Sequence, residues 1–118
     1  MTLEECYQKL NGNYAEARQR LMTEKLMDRF VLKFPGDPSM DQLREALSQG
    51  SRKDAFRAVH TLKGVAANMA FTQLQEAASD LTEQMRSLEY DADPVLLQKV
   101  EDSYRLVIET IAAYEKEK

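Results

Sequence analysis

His60 is the only histidine in this chain of 118 residues, so any chemistry that needs an imidazole falls on that side chain. A free imidazole titrates at about pH 6.5, and its neutral form is a competent nucleophile near neutrality. Lys63 follows three residues later, a spacing that lets its ammonium swing beside the ring on a helix. If the ring attacked a phosphoryl group, the product would carry up to two negative charges, which a nearby ammonium would stabilise. Arg57, about one turn earlier, offers a second cation or a steering charge for an acidic partner, although an ordinary solvated basic face would read the same. Gly64 lies one turn beyond His60, in mid-helix, where glycine costs about 1 kcal/mol relative to alanine. Bare backbone there lets another protein's surface approach the imidazole, and Ala67 continues the low-relief strip.

These residues share one helix, which Ser51 opens with Asp54 three residues on, and which runs to Met69 or Ala70. At about 100° per residue, Ala55, Val59, Leu62, Ala66 and Met69 fall in a single arc that must face the core. His60 points about 140° from the centre of that arc, toward solvent or a neighbouring helix's edge. A lone histidine is commonly a core residue or an incidental surface one. The geometry excludes the first, and Gly64 and Lys63 weigh against the second.

Helical start and stop signals recur along the rest of the chain, and strand signals are almost absent. Thr2 with Glu5 reads as a capping box for a short helix that ends at Asn11-Gly12. Asn13 with Glu16 opens a second helix through Leu21, Met22, Leu26, Phe30 and Phe34, stopped by Pro35-Gly36-Asp37-Pro38. Ser39 with Gln42 opens a third, closed by Gly50. Thr72 with Gln75 opens the helix after the histidine helix, with apolar residues from Leu74 to Leu88. Asp93-Pro94 caps and starts the last one, whose tail Glu115-Lys116-Glu117-Lys118 is expected to fray. Four of these helices are long enough for a bundle, and short turns around the middle ones imply antiparallel neighbours. The fold expected is an all-α, antiparallel up-and-down four-helix bundle with additional short N-terminal helices, in one domain over 1–118.

Composition narrows the function. Twenty acidic against 16 basic side chains, net −4, supply no global positive field for nucleic acid. One cysteine, Cys6, excludes an internal disulfide and a Cys-built zinc site, and one histidine excludes a His-rich metal cluster. No P-loop or dinucleotide-binding glycine pattern occurs. No apolar run reaches the roughly 18 residues of a membrane helix, and the polar, acidic N-terminus is unlike a signal peptide, so a cytoplasmic monomer is expected. The methionines read as core filler, the five tyrosines as boundary residues with wet hydroxyls, and Cys6 as structural.

The octet Val59-His60-Thr61-Leu62-Lys63-Gly64-Val65-Ala66 resembles the signature of histidine-containing phosphotransfer domains, Ala/Val-His-x-Leu-Lys-Gly-x-Ala. The likeness continues through Asn68-Met69-Ala70 to Leu74, Ala77, Ala78 and Leu81, and upstream through Phe30, Leu43, Ala46-Leu47 and Asp54-Ala55-Phe56. It covers most of the chain and is strongest over 54–81. The resemblance implies a helical bundle that is not an enzyme and that relays a phosphoryl group between receiver-domain aspartates, or takes it from a histidine kinase. His60 then matches the phosphoacceptor, Lys63 the phosphate-stabilising cation, and Gly64 the residue that leaves room for the partner. No cofactor is implied for this chain, and Mg²⁺ would belong to the receiver. Two departures stand out. Members usually carry glycine where Ala70 stands, so the turn there is expected to shift or the helix to lengthen. Many also place Gln or Glu on the following helix to hold the far imidazole nitrogen. Thr82 stands at that spacing, with Ser79 one turn earlier, and either hydroxyl could hold the ring directly or through water. The rival to a relay is a helical adaptor or oligomerisation module that never handles phosphate. A hydrolase using His60 as general base comes third: Ser48, Ser51 or Asp54 could be its helpers, but the helix start already explains Ser51 and Asp54.

Overall fold

In a computed structural model of the chain, residues 1–117 are described; Lys118, part of the expected domain and of the expected frayed tail, lies outside them. The described residues form α1 (Leu3–Lys9), α2 (Tyr14–Leu21), α3 (Glu24–Lys33), a short 3-10 turn (Phe34–Gly36), α4 (Ser39–Ser48), α5 (Arg52–Asn68), α6 (Thr72–Met85) and α7 (Pro94–Lys116), with no strand among them. The fold is all-helical. No helix among the described residues is long and apolar enough to cross a membrane.

Where a polar side chain caps a helix, the reason is local. Thr2 and Glu5 form the reciprocal capping box of α1, and Asn13, Ser51 and Asp93 each accept from an orphan first-turn amide of α2, α5 and α7. Two expected caps are corrected. At α4 the cap residue is Pro38, Ser39 is buried inside the helix, and its amide donates to the Asp37 carboxylate at 3.0 Å. At α6 the cap residue is Phe71, Thr72 lies within the helix, and the Gln73 amide donates to the Asn11 carbonyl of the α1–α2 turn at 3.1 Å. A tertiary contact there supplies what a side chain was expected to supply.

The single helix expected over 13–34 is two. Met22 adopts φ 70°, and Thr23 starts α3 by accepting from the Leu26 amide at 3.1 Å, an N-cap that the apolar periodicity concealed. Leu88, expected on α6, lies beyond its end at φ 64° and is exposed. The expected fraying is not seen at Glu115 and Lys116, because α7 runs through Lys116.

In the core, α5 packs against α4 on one side and α6 on the other, and α6 against α7. Its buried face is Ala55, Ala58, Val59, Leu62 and Ala66, mostly small residues that let both neighbours come close. Met27, Met40, Met69 and Met85 fill the interior. Arg44 of α4 ties to Glu101 of α7 through two bonds of 2.9 and 3.2 Å, and its guanidinium lies over the Tyr104 ring. Tyr114 of α7 donates to Asp28 of α3 at 2.6 Å.

The N-terminal helices are fastened to the turn that follows α5. Tyr7, fully buried rather than at the boundary, donates its hydroxyl to the Met69 carbonyl at 2.8 Å; Asn13 donates its amide to the Ala70 carbonyl at 2.8 Å; Arg20 donates to the Ala67 carbonyl. Gly12 sits inside this junction, where a Cβ would come within 2.8 Å of the Ala70 carbonyl oxygen and 2.9 Å of the Tyr7 ring. Since backbone stands on one side, the clash has no cheap relief. Gly12→Ala is expected to destabilise the protein by about 1–3 kcal/mol, read from chemical denaturation followed by far-UV circular dichroism, with the folded spectrum retained.

Candidate functional site

The register of α5 decides what the site presents. Ser51 fixes its start by accepting from the Asp54 amide at 3.2 Å. Its end is a Schellman motif: the Phe71 amide donates to the Ala66 carbonyl at 2.9 Å, and the Ala70 amide to the Ala67 carbonyl at 3.0 Å. Ala70 holds the left-handed position at φ 55°. The turn therefore keeps a glycine-like geometry, and the helix, which stops at Asn68, is not lengthened. The same motif closes α4 with Gly50 at φ 70°.

Between these fixed ends His60 is exposed, as are Arg57 and Gly64, while Lys63 and Ala67 are half-buried. A Cβ built on Gly64 meets nothing within 4 Å, so the missing side chain serves no packing need of this chain. The bare strip beside the imidazole is open. Phe56, one turn before His60, sets its half-buried ring 6.0 Å from the imidazole centroid at an interplanar angle of 42°.

The two cations part company. Arg57 lines a groove of about 600 Å³ between α4 and α5, together with Asp41, Glu45, Asp54 and Thr61. On the α6 side the Glu83 carboxyl is held below the usual carboxylate range, chiefly by Arg86 and to a lesser extent by the charge of Lys63. The first cause of that lowering is the hydrogen bond Glu83 accepts from Arg86, with bonds of 3.0 and 2.7 Å to the two carboxylate oxygens. The Arg86 guanidinium in turn lies 5.6 Å from the centroid of the Phe56 ring.

Thr82, one of the two hydroxyls expected to orient the imidazole, is fully buried and donates to the Ala78 carbonyl of its own helix at 2.7 Å. It does not reach the ring. Ser79 is half-buried on α6. Sequence reasoning passed over Glu83, Arg86 and the role of Phe56. The aromatic residue four before the histidine and the i,i+3 acid–base pair were both visible signals, but nothing in one helix's periodicity says which residues of α6 turn toward α5.

Cys6 is buried, and burial pushes its thiol up to about 11, against a smaller downward pull from Lys9. No group of three or more His, Cys, Asp or Glu side chains among the described residues is arranged to hold a metal ion.

The chain matches the family model of the Hpt domain over residues 2–114. It belongs to the Hpt domain family. Hpt domains are carriers of phosphoryl groups in two-component signalling, working with histidine kinases and receiver domains, and are not enzymes in the usual sense. No curated protein and no solved structure shows a significant match to the chain.

The open space at Gly64 separates a steric role from a packing role in this Hpt domain. Gly64→Ala adds a methyl that touches nothing and removes a mid-helix glycine, so the variant is expected to be more stable by about 0.5–1 kcal/mol. Thermal unfolding of the two proteins side by side measures this directly.

Proposed function

We propose that this Hpt domain is a phosphorelay intermediate whose phosphoacceptor is His60. The observation that carries the reading is the exposed imidazole beside a glycine whose missing side chain leaves open space. An imidazole nitrogen attacks the phosphorus of a receiver's phosphoaspartate, or of a kinase's phosphohistidine. The P–O or P–N bond of the donor breaks and the donor side chain leaves. In the forward step a receiver aspartate attacks the phosphoimidazole, the P–N bond breaks, and His60 is returned. Positioning and charge neutralisation supply the acceleration, since little covalent chemistry is left for the protein to do.

Lys63 supplies a cation that meets the phosphoryl charge. Gly64 and Ala67 form the strip on which the receiver seats itself, and Arg57 steers its acidic surface from the α4 side. Mg²⁺ belongs to the receiver, and this chain brings no cofactor of its own. The supporting scaffold is an antiparallel up-and-down four-helix bundle of α4 to α7, with α1 to α3 as the additional short helices. The whole chain acts as one domain, and as a monomer in the cytoplasm.

Incubation with a phosphorylated receiver tests the reading. Acid-labile, base-stable phosphate is expected on the wild-type protein and absent from His60→Gln, which keeps a wild-type unfolding curve because an outward side chain contributes little to the core. Lys63→Ala is expected to slow transfer by about tenfold, the size of one charge-assisted contact. Wild-type protein that binds receivers yet takes no label from several of them would make the domain an adaptor.

A further inference from the structure

A cation other than Lys63 stands on the α6 side of the imidazole, across the ring of Phe56. The Phe56 ring that stands 6.0 Å from His60 also carries the Arg86 guanidinium at 5.6 Å, so a single aromatic ring links the two groups. Arg86 is the C-cap residue of α6, a place where a cation is favoured by the helix's own carbonyls. Glu83 grips it through both carboxylate oxygens, and the same carboxylate lies in the field of Lys63. Glu83 and Arg86 are both exposed, so neither is locked in place by packing.

A phosphoryl group on His60 changes the balance among these charges. It carries nearly two negative charges and three strong acceptor oxygens, against one charge on the Glu83 carboxylate. Guanidinium pairs with phosphate in the same two-pronged way as with carboxylate.

We infer that Glu83 and Arg86 are an exchange pair that responds to the phosphoryl state of His60. While the imidazole is bare, the carboxylate holds the guanidinium parked over Phe56. When the imidazole is phosphorylated, the guanidinium leaves the carboxylate for the phosphoryl oxygens. The Phe56 face lowers the cost of the move by cation–π attraction along the way. Glu83 then sets how long the phosphorylated state lasts, by competing for the cation that stabilises it. This inference rests on His60 being the phosphoacceptor.

The test labels the full chain with phosphoramidate, which needs no receiver: the imidazole nitrogen takes the phosphoryl group, the donor's P–N bond breaks and ammonia leaves. Hydrolysis, in which water attacks phosphorus and His60 is released with inorganic phosphate, is then timed by ³¹P NMR. Arg86→Met is expected to shorten the lifetime about threefold and Glu83→Gln to lengthen it about threefold, the range an exposed ion pair supports. The double variant should match Arg86→Met alone, because Glu83 acts through Arg86, and Arg86→Lys should recover part of the lifetime. In the wild-type protein the Arg86 Nε–H resonance should move on phosphorylation. Lifetimes equal in all variants, additive effects in the double variant, or an unmoved Arg86 resonance would each overturn the exchange while leaving the relay standing. No phosphate on His60 at all would remove the relay, and the exchange with it.

Discussion

The rotational register of α5 is the constraint on which the site depends. Its inward face is a stripe of small residues wedged between α4 and α6, and a slip of one residue would turn every side chain by about 100°. His60 would then leave the open strip for the edge of a neighbouring helix. The register is fixed at both ends by hydrogen bonds rather than by the stripe alone. Ser51 caps the start, and the carbonyls of Ala66, Ala67, Met69 and Ala70 are taken up by the Schellman turn and by donors from α1, α2 and the turn between them. The N-terminal helices, distant in sequence from the histidine, thus aim it by gripping the far end of its helix.

How far this was legible in the sequence depended on where each partner lay. Caps at Thr2, Asn13, Ser51 and Asp93 were readable, because donor and acceptor sit within a few residues of each other. Ser39 and Thr72 had the same local pattern and were misread, since Asp37 and the Asn11 carbonyl took over the orphan amides. Thr23 was overlooked because the apolar spacing continues across the break at Met22. The outward direction of His60 followed from the wheel of a single helix. The identity of its cross-helix neighbours did not, because that depends on how α6 is rotated about its own axis. Thr82 at the expected spacing turned inward, and Glu83, the next residue, is the exposed one that pairs with Arg86.

Ala70 shows how one residue type can stand in for another. A left-handed turn position costs a non-glycine residue roughly 1–2 kcal/mol, which makes glycine the expected occupant. Here the strained position is held by its surroundings: the Ala70 carbonyl accepts from Asn13, its amide donates to Ala67, and its side chain is buried. The geometry survives the change of residue because neighbouring elements impose it.

The imidazole stands on a ridge between unlike flanks, with the acid-lined groove of Arg57 toward α4 and the Lys63, Glu83 and Arg86 charges toward α6. Along it the backbone is bare at Gly64, where nothing stands within 4 Å of an added Cβ. The most direct check is a ¹H–³¹P correlation spectrum of the protein after exposure to a phosphorylated receiver. A phosphorus resonance coupled to the ring protons of His60 is the result expected. Phosphorus coupled to any other side chain, with the His60 ring protons unmoved, would contradict the account.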